Sequence, residues 1–156
     1  MGYIGGEPQP GCLFCRVIGE TERDEGNHVV YRAEHCLVML NLYPYNSGHV
    51  MVVPHQHTGD VADLNPEIGD ALFRTTQLTT RVLGAALHPH GLNLGMNQGT
   101  VAGAGIADHI HLHVVPRWNG DTNFMPVLAD TKVMPELLSA TAAKLRPVFA
   151  ELSRTE

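Results

Sequence analysis

Asp108-His-Ile-His-Leu-His-Val-Val115 sets a histidine at every second position, with an apolar residue between each pair. In an extended strand successive side chains point to opposite faces. His109, His111 and His113 therefore share one face, and Ile110, Leu112 and Val114 share the other. The apolar set can pack on a helix. The histidine set fits the polar outer face of an edge strand, a metal-holding strand or a catalytic one. An outward face is made more simply from Lys, Glu or Thr, which lack a titrating ring, whereas imidazole is a common metal ligand. Catalysis uses the ring directly: near neutral pH a useful fraction is unprotonated and nucleophilic, and a hydrogen bond at one nitrogen fixes the tautomer of the other. His111, held from both sides, is placed as the nucleophile. His113 would contact a phosphate or leaving oxygen, and His109 would orient the nucleophile from the opposite side.

Immediately upstream, Gly99-Thr-Val-Ala-Gly-Ala-Gly105 is a glycine-rich turn. Its backbone N–H groups, Gly103 and Gly105 above all, can approach anionic oxygens without side-chain obstruction. Asn97 and Gln98 add neutral donors for phosphate or ribose. Further out, Val29 to Tyr31, Cys36 to Leu42 and His49 to Val53 read as three antiparallel strands separated by turn-rich segments, and Leu92 to Gln98 and Ile110 to Arg117 as two more. Asn65 before Pro66 is a helix cap with proline at the first helical position. Ile68, Leu72, Thr75, Leu78, Thr79, Val82 and Ala86 then keep helical spacing until Pro89 and Gly91 end it. Pro135 to Leu145 reads as a second helix. The expected fold is α+β: an antiparallel sheet of about five strands with one long helix and a C-terminal helix packed on one face.

The chain has 156 residues, 44% of them hydrophobic and 17% charged, which suits one globular core. Residues 1–11, rich in Gly and Pro, read as a flexible tail, leaving 12–152 as a single domain. A formal charge of −6, from 10 Lys and Arg against 16 Asp and Glu, supplies no long-range attraction for DNA or RNA. No run approaches the roughly 20 apolar residues of a membrane span, and the start lacks the basic flank and apolar stretch of a leader. Three cysteines are a poor disulfide framework, which together with the foregoing points to the cytoplasm. Cys12 and Cys15, at C-x-x-C spacing, can present two thiolates to one ion. A complete tetrahedral site needs two further ligands.

His109-Ile-His-Leu-His-Val-Val115 resembles the signature of the histidine triad superfamily, in which three histidines alternate with hydrophobic residues. Cys12-Leu-Phe-Cys15, Leu40-Asn-Leu-Tyr-Pro-Tyr-Asn-Ser-Gly-His-Val-Met-Val-Val-Pro54 and Asn93-Leu-Gly-Met-Asn-Gln-Gly99 follow in family order. Pro116 to Phe124 is similar to the branch that splits dinucleoside polyphosphates, including diadenosine tetraphosphate phosphorylases. It is less similar to the phosphoramidate hydrolases. The resemblance implies that His111 attacks an α-phosphorus to form a nucleotidyl-histidine, which phosphate or water then resolves. It also implies that Asn41 holds the ribose, that Leu40 and Leu42 lie beside the base, and that His49 and Asn97 support the phosphates. Zinc-carrying members would complete a structural site on Cys12 and Cys15 with His57 and His109. A homodimer using the long helix and a sheet edge is implied too, while a divalent cation accompanying the phosphates is not specified. Gly103-Ala-Gly-Ile-Ala-Asp108 departs from many fragile-histidine-triad hydrolases in lacking a glutamine before the triad. This favours the phosphorylase-like branch, with a backbone N–H or Asn123 as a substitute donor. The competing functions are a nucleoside phosphoramidate hydrolase and a non-catalytic nucleotide sensor.

Overall fold

The computed structural model describes residues 8–121 and 136–155. Five strands, β1 (Val29–Arg32), β2 (Cys36–Leu40), β3 (Val50–Pro54), β4 (Gly91–Met96) and β5 (Leu112–Arg117), form one sheet in the order β1-β2-β3-β5-β4, with every pairing antiparallel. The α+β architecture anticipated from the sequence is the one observed.

Two helices cover one face of the sheet. The long helix α2 (Pro66–Leu87) starts where the Asn65 side chain accepts from the Glu67 N–H, and stops at His88, whose backbone is left-handed. Its buried stripe of Ile68, Leu72, Leu78, Val82 and Leu83 presses on Val38, Leu40, Val50, Val52 and Val114. The C-terminal helix α3 (Leu138–Leu152) adds Ala142, Leu145 and Phe149 to the same core. It begins later and ends later than the sequence pattern proposes, and Pro135 lies outside the described residues. Pro147 sits inside it. The helix continues because Leu145 and Phe149, on either side of the proline, both bury, each such burial contributing about 1.5–3 kcal/mol.

The opposite face is not left open. A seven-residue helix, α1 (Leu13–Gly19), lies across it and buries Phe14 and Val17 against Val29, Leu37, Met39, Met51 and Val53. This corrects the expectation of helices on one face only. Every residue of β2 and β3 is buried in consequence, since both sheet faces are covered.

The strand limits differ where the site begins. Regular pairing of β5 starts at Leu112, not Ile110, and β4 ends at Met96, not Gln98, the two being partners in the register. Likewise β2 stops at Leu40, short of Leu42. Before Leu112 the chain leaves the ladder: the Ile110 N–H goes to the Thr58 carbonyl at 2.7 Å, and Gln98 turns its side-chain oxygen to the Val61 N–H at 3.0 Å. Gly59 permits this approach, because a Cβ there would collide with the Ala107 carbonyl. The segment carrying His57 is thereby held against the one carrying His109.

Candidate functional site

His109, His111 and His113 part company at this departure from the ladder. Nε2–H of His109 donates to the Pro54 carbonyl at 2.8 Å, taking an acceptor that a paired strand would use. A carbonyl only accepts, so the proton is on Nε2 and the lone pair is on Nδ1. That Nδ1 lies 3.4 Å from Cys12 Sγ and 3.7 Å from Cys15 Sγ, while His57 Nδ1 is 3.3 Å from Cys15 Sγ. The four donor atoms of Cys12, Cys15, His57 and His109 all lie within 4.8 Å of one another. A tetrahedral zinc site with ordinary Zn–S and Zn–N bonds separates its ligand atoms by roughly 3.3–3.8 Å. The short contacts here fall in that range, so the donor set fits a closed zinc centre with no open position. Burial lowers the His109 pKa to about 4, which keeps the imidazole neutral and ready to ligate, and the same desolvation raises the Cys15 thiol.

His111 is fixed by backbone. Its Nδ1–H donates to the His109 carbonyl at 2.9 Å, which leaves the unprotonated Nε2 as the free nitrogen. The orienting group is therefore the main chain of His109 and not its imidazole, whose two nitrogens are already directed elsewhere. Burial also pushes the His111 pKa below the ordinary histidine value, so the ring is neutral at physiological pH.

His113 keeps the alternation read from the sequence. It pairs with Met51 in the β3–β5 register and faces the α1 side. Its Nδ1 is 2.8 Å from Nε2 of His49, a fully buried histidine, and the Tyr45 N–H reaches Nδ1 of His49 at 3.0 Å. These contacts fix a sequence of tautomers. An amide N–H can only donate, so His49 accepts at Nδ1 and, when neutral, carries its proton on Nε2. That proton goes to His113 Nδ1, which puts the His113 proton on Nε2. Burial, reinforced by the neighbouring His111, lowers the His113 pKa to about 4.

A cavity of about 330 Å³ opens in front of these groups. His111, His113, Gly103 and Gly105 line its polar part, and Asn41 and Leu42 line it too. Asn41 is set by its own turn, its Oδ1 accepting from the Tyr43 N–H at 2.9 Å. Leu40 does not reach the cavity: strand alternation turns it into the core under α2, and Met39 takes the place beside the cavity. Asn97 is not among the lining residues either. Its amide Nδ2 reaches toward the Gly103 carbonyl at 3.5 Å, so it braces the turn and stands back from the ligand space. Gly103 bends that turn with a φ of 93°, where a side chain would be strained.

Several contributors carry little signal in the sequence. Leu13, Phe14 and Ile106 give the cavity an apolar end, and Phe14 touches both histidine groups, its ring centroid 5.3 Å from His109 and 4.8 Å from His111. Arg117, at the end of β5, is clamped by Asp121 at 2.8 and 2.9 Å and by Asn93 at 3.1 Å. Asp121 is held down to about 2 chiefly by that guanidinium, and it also accepts from Asn46 at 2.8 Å, which ties the clamp to the loop bearing Tyr45. Asn123 and Phe124 lie outside the described residues.

An antiparallel five-stranded sheet that brings two alternating histidines and a glycine turn to one cavity has the arrangement of a histidine triad domain. The HIT domain model matches residues 22–120, and the chain belongs to that family. Among its relatives is an AP-4-A phosphorylase of Mycobacterium tuberculosis, 44% identical over 127 residues, covering 81% of this chain and 65% of that protein. The chain thus spans somewhat less than two thirds of the length of that relative. An uncharacterised HIT-like protein of Methanocaldococcus jannaschii is 35% identical over 111 residues, covering 70% of this chain and 81% of the other. A crystal structure of a zinc-bound histidine triad family protein from Mycobacterium smegmatis superposes with a TM-score of 0.75 at 32% identity, covering 94% of this chain and 98% of that one. No described helix is long and apolar enough to cross a membrane.

Proposed function

We propose that this chain is a nucleotidyl-transfer enzyme that cleaves dinucleoside polyphosphates of the diadenosine tetraphosphate type at the α-phosphate. The observation that carries this reading is the 2.9 Å hydrogen bond from His111 Nδ1 to the His109 carbonyl, which leaves a neutral Nε2 at a cavity shared with His113 and the Gly103–Gly105 turn. In the first step Nε2 of His111 forms a bond to the α-phosphorus as the bond to the bridging oxygen breaks, and ATP leaves. His113 Nε2–H is the donor to that oxygen. The ring keeps that proton and hydrogen-bonds the oxygen as its charge grows, since ATP departs as a stable anion. Backbone N–H groups of the glycine turn hold the non-bridging oxygens, and Asn41 the ribose. In the second step phosphate attacks the nucleotidyl-histidine, forming the new phosphorus–oxygen bond of ADP as the bond to Nε2 breaks and His111 is freed. Water in place of phosphate gives AMP.

The missing glutamine before the triad and the likeness to a protein named AP-4-A phosphorylase both favour phosphate as acceptor. Cys12, Cys15, His57 and His109 would hold a structural zinc ion, which when bound fixes the backbone that presents the His109 carbonyl. Residues 12–152 act as one domain in this reading, within a cytoplasmic homodimer. Support for the dimer comes from the edge position of β4 and the exposure of its Leu94 and Met96. The thiols of Cys12, Cys15 and Cys36, all free, suit a reducing compartment.

Product analysis with diadenosine tetraphosphate tests the reading. ATP plus ADP formed only with phosphate is the expected result, and ATP plus AMP without it makes the chain a hydrolase. Faster turnover of an adenosine phosphoramidate supplied in parallel moves the substrate class. Tight nucleotide binding with no turnover, and no covalent nucleotidyl-enzyme after an alkaline quench that preserves phosphorus–nitrogen bonds, would make the protein a sensor.

A further inference from the structure

Resting on that reading, the geometry points to Tyr45 as the stacking platform for the second nucleobase, the one that departs with the leaving nucleotide. The cavity has one apolar recess, at Leu13, Phe14, Met39 and Ile106, which suits a single base. A dinucleoside polyphosphate brings a second base that needs another surface at the cavity, beside His113. Tyr45 stands there. One face of its ring packs on His49, with centroids 4.7 Å apart at 34°, and on His113, 6.0 Å apart at 30°. The residue is nevertheless 63% exposed, so its other face is presented outward at the cavity rim.

Two further observations support a stacking role. The ring is backed by two imidazoles, and the backbone N–H of Tyr45 is bonded to His49, so the packed side chain has little rotamer freedom left to lose when a base settles on it. Moreover, none of the lining residues is a lysine or arginine, and Arg117 is engaged by Asp121 and Asn93. The second half of the substrate thus finds no cation at the described cavity wall, and an aromatic face is what remains to hold it. Stacking is tolerant of base identity because every base has a π-face. The platform therefore selects for a second nucleoside without choosing which one.

The test compares diadenosine tetraphosphate with adenosine tetraphosphate, which lacks the second nucleoside, by calorimetric binding to His111→Ala protein and by steady-state turnover in the wild type. The expected result is tighter binding of the dinucleotide, with its preference reduced about tenfold by adding Tyr45→Ala and retained with Tyr45→Phe, the range set by base–aromatic stacking. A preference unchanged by Tyr45→Ala overturns the platform. So does a Tyr45→Phe variant as weak as Tyr45→Ala, since the hydroxyl and not the ring face would then be responsible. Equal or undetectable binding of the two nucleotides to His111→Ala overturns it as well. The activity reading fails separately: wild-type protein that turns over neither nucleotide removes the reaction, while a binding preference that still responds to Tyr45 keeps the platform.

Discussion

The Cys12/Cys15/His57/His109 cluster and the His49/His111/His113 cluster share one stretch of backbone, yet they use imidazole in opposite ways. In the first, every donor atom turns inward on its neighbours, and the set is closed. In the second, His49 spends both nitrogens on fixed partners, His111 and His113 spend one each, and His111 leaves the other for the cavity. The difference lies in what occupies the far nitrogen. Pro54's carbonyl takes Nε2 of His109 and so frees Nδ1 for the sulfurs, whereas the His109 carbonyl takes Nδ1 of His111 and so frees Nε2 for the ligand. Identical residues two positions apart acquire different chemistry from backbone acceptors alone.

Removing the free nitrogen is the harshest way to break this contrast. His111→Ala should lower turnover of diadenosine tetraphosphate by on the order of 10⁴-fold or more while leaving the unfolding temperature nearly unchanged. Undiminished turnover would end its assignment as nucleophile. The closed cluster should answer in the reverse sense, through stability before chemistry. Stripping metal with a chelator, or replacing Cys15 with alanine, should release about one zinc per chain by elemental analysis and lower the unfolding temperature by on the order of 10 °C. A metal-free protein of unaltered stability would show that the cluster closes without an ion.

His49 sharpens the comparison, since it stands behind His113 and does not itself line the cavity. His49→Ala should reduce kcat about 10- to 100-fold with a smaller change in KM. His49→Gln, which can accept from the Tyr45 N–H and donate to His113, should recover part of the loss. Nitrogen NMR shifts should report the His113 proton on Nε2 in the wild type and a mixed tautomer in His49→Ala. An unmixed tautomer in that variant would remove His49 from the relay.

The smallest effect concerns acid. Burial holds the His113 pKa at about 4, against an unfolded value near 6.5. Between those values the unfolded chain binds a proton that the native chain does not. Stability is therefore fully present above about pH 6.5 and falls as the pH drops toward 4. The contribution of His113 is about 2 kcal/mol once screening of its partly exposed ring is allowed for. Denaturant midpoints measured across this window on wild type and His113→Gln should converge toward low pH, and parallel curves would assign the acid sensitivity elsewhere.

Much of this arrangement is written locally. Valine-rich runs specify β1 to β3, because both faces of the central strands are buried, and the Asn65–Pro66 pair marks the start of α2 to the residue. Alternation places His113 correctly because β5 is regular there. It does not tell how the rings of His109 and His111 are oriented, because both precede the ladder and answer to carbonyls at Pro54 and His109 that no side-chain pattern reveals. α1 is only seven residues long and carries one cysteine at its N-cap and one in its first turn, so its sequence shows the metal motif and hides the helix. Leu40 and Met39 are both apolar, and only the register decides which one meets the cavity. His49 and Asp121 act through partners 64 and 75 residues distant in the chain, which no local window can pair.

Phe14 leans on His109 with one part of its ring and on His111 with another. That position makes it a natural vantage for spectroscopy. A single fluorine introduced on this ring would sense ion loading through one imidazole and covalent nucleotide through the other, so that two events otherwise followed by separate assays could be timed against each other in one resonance.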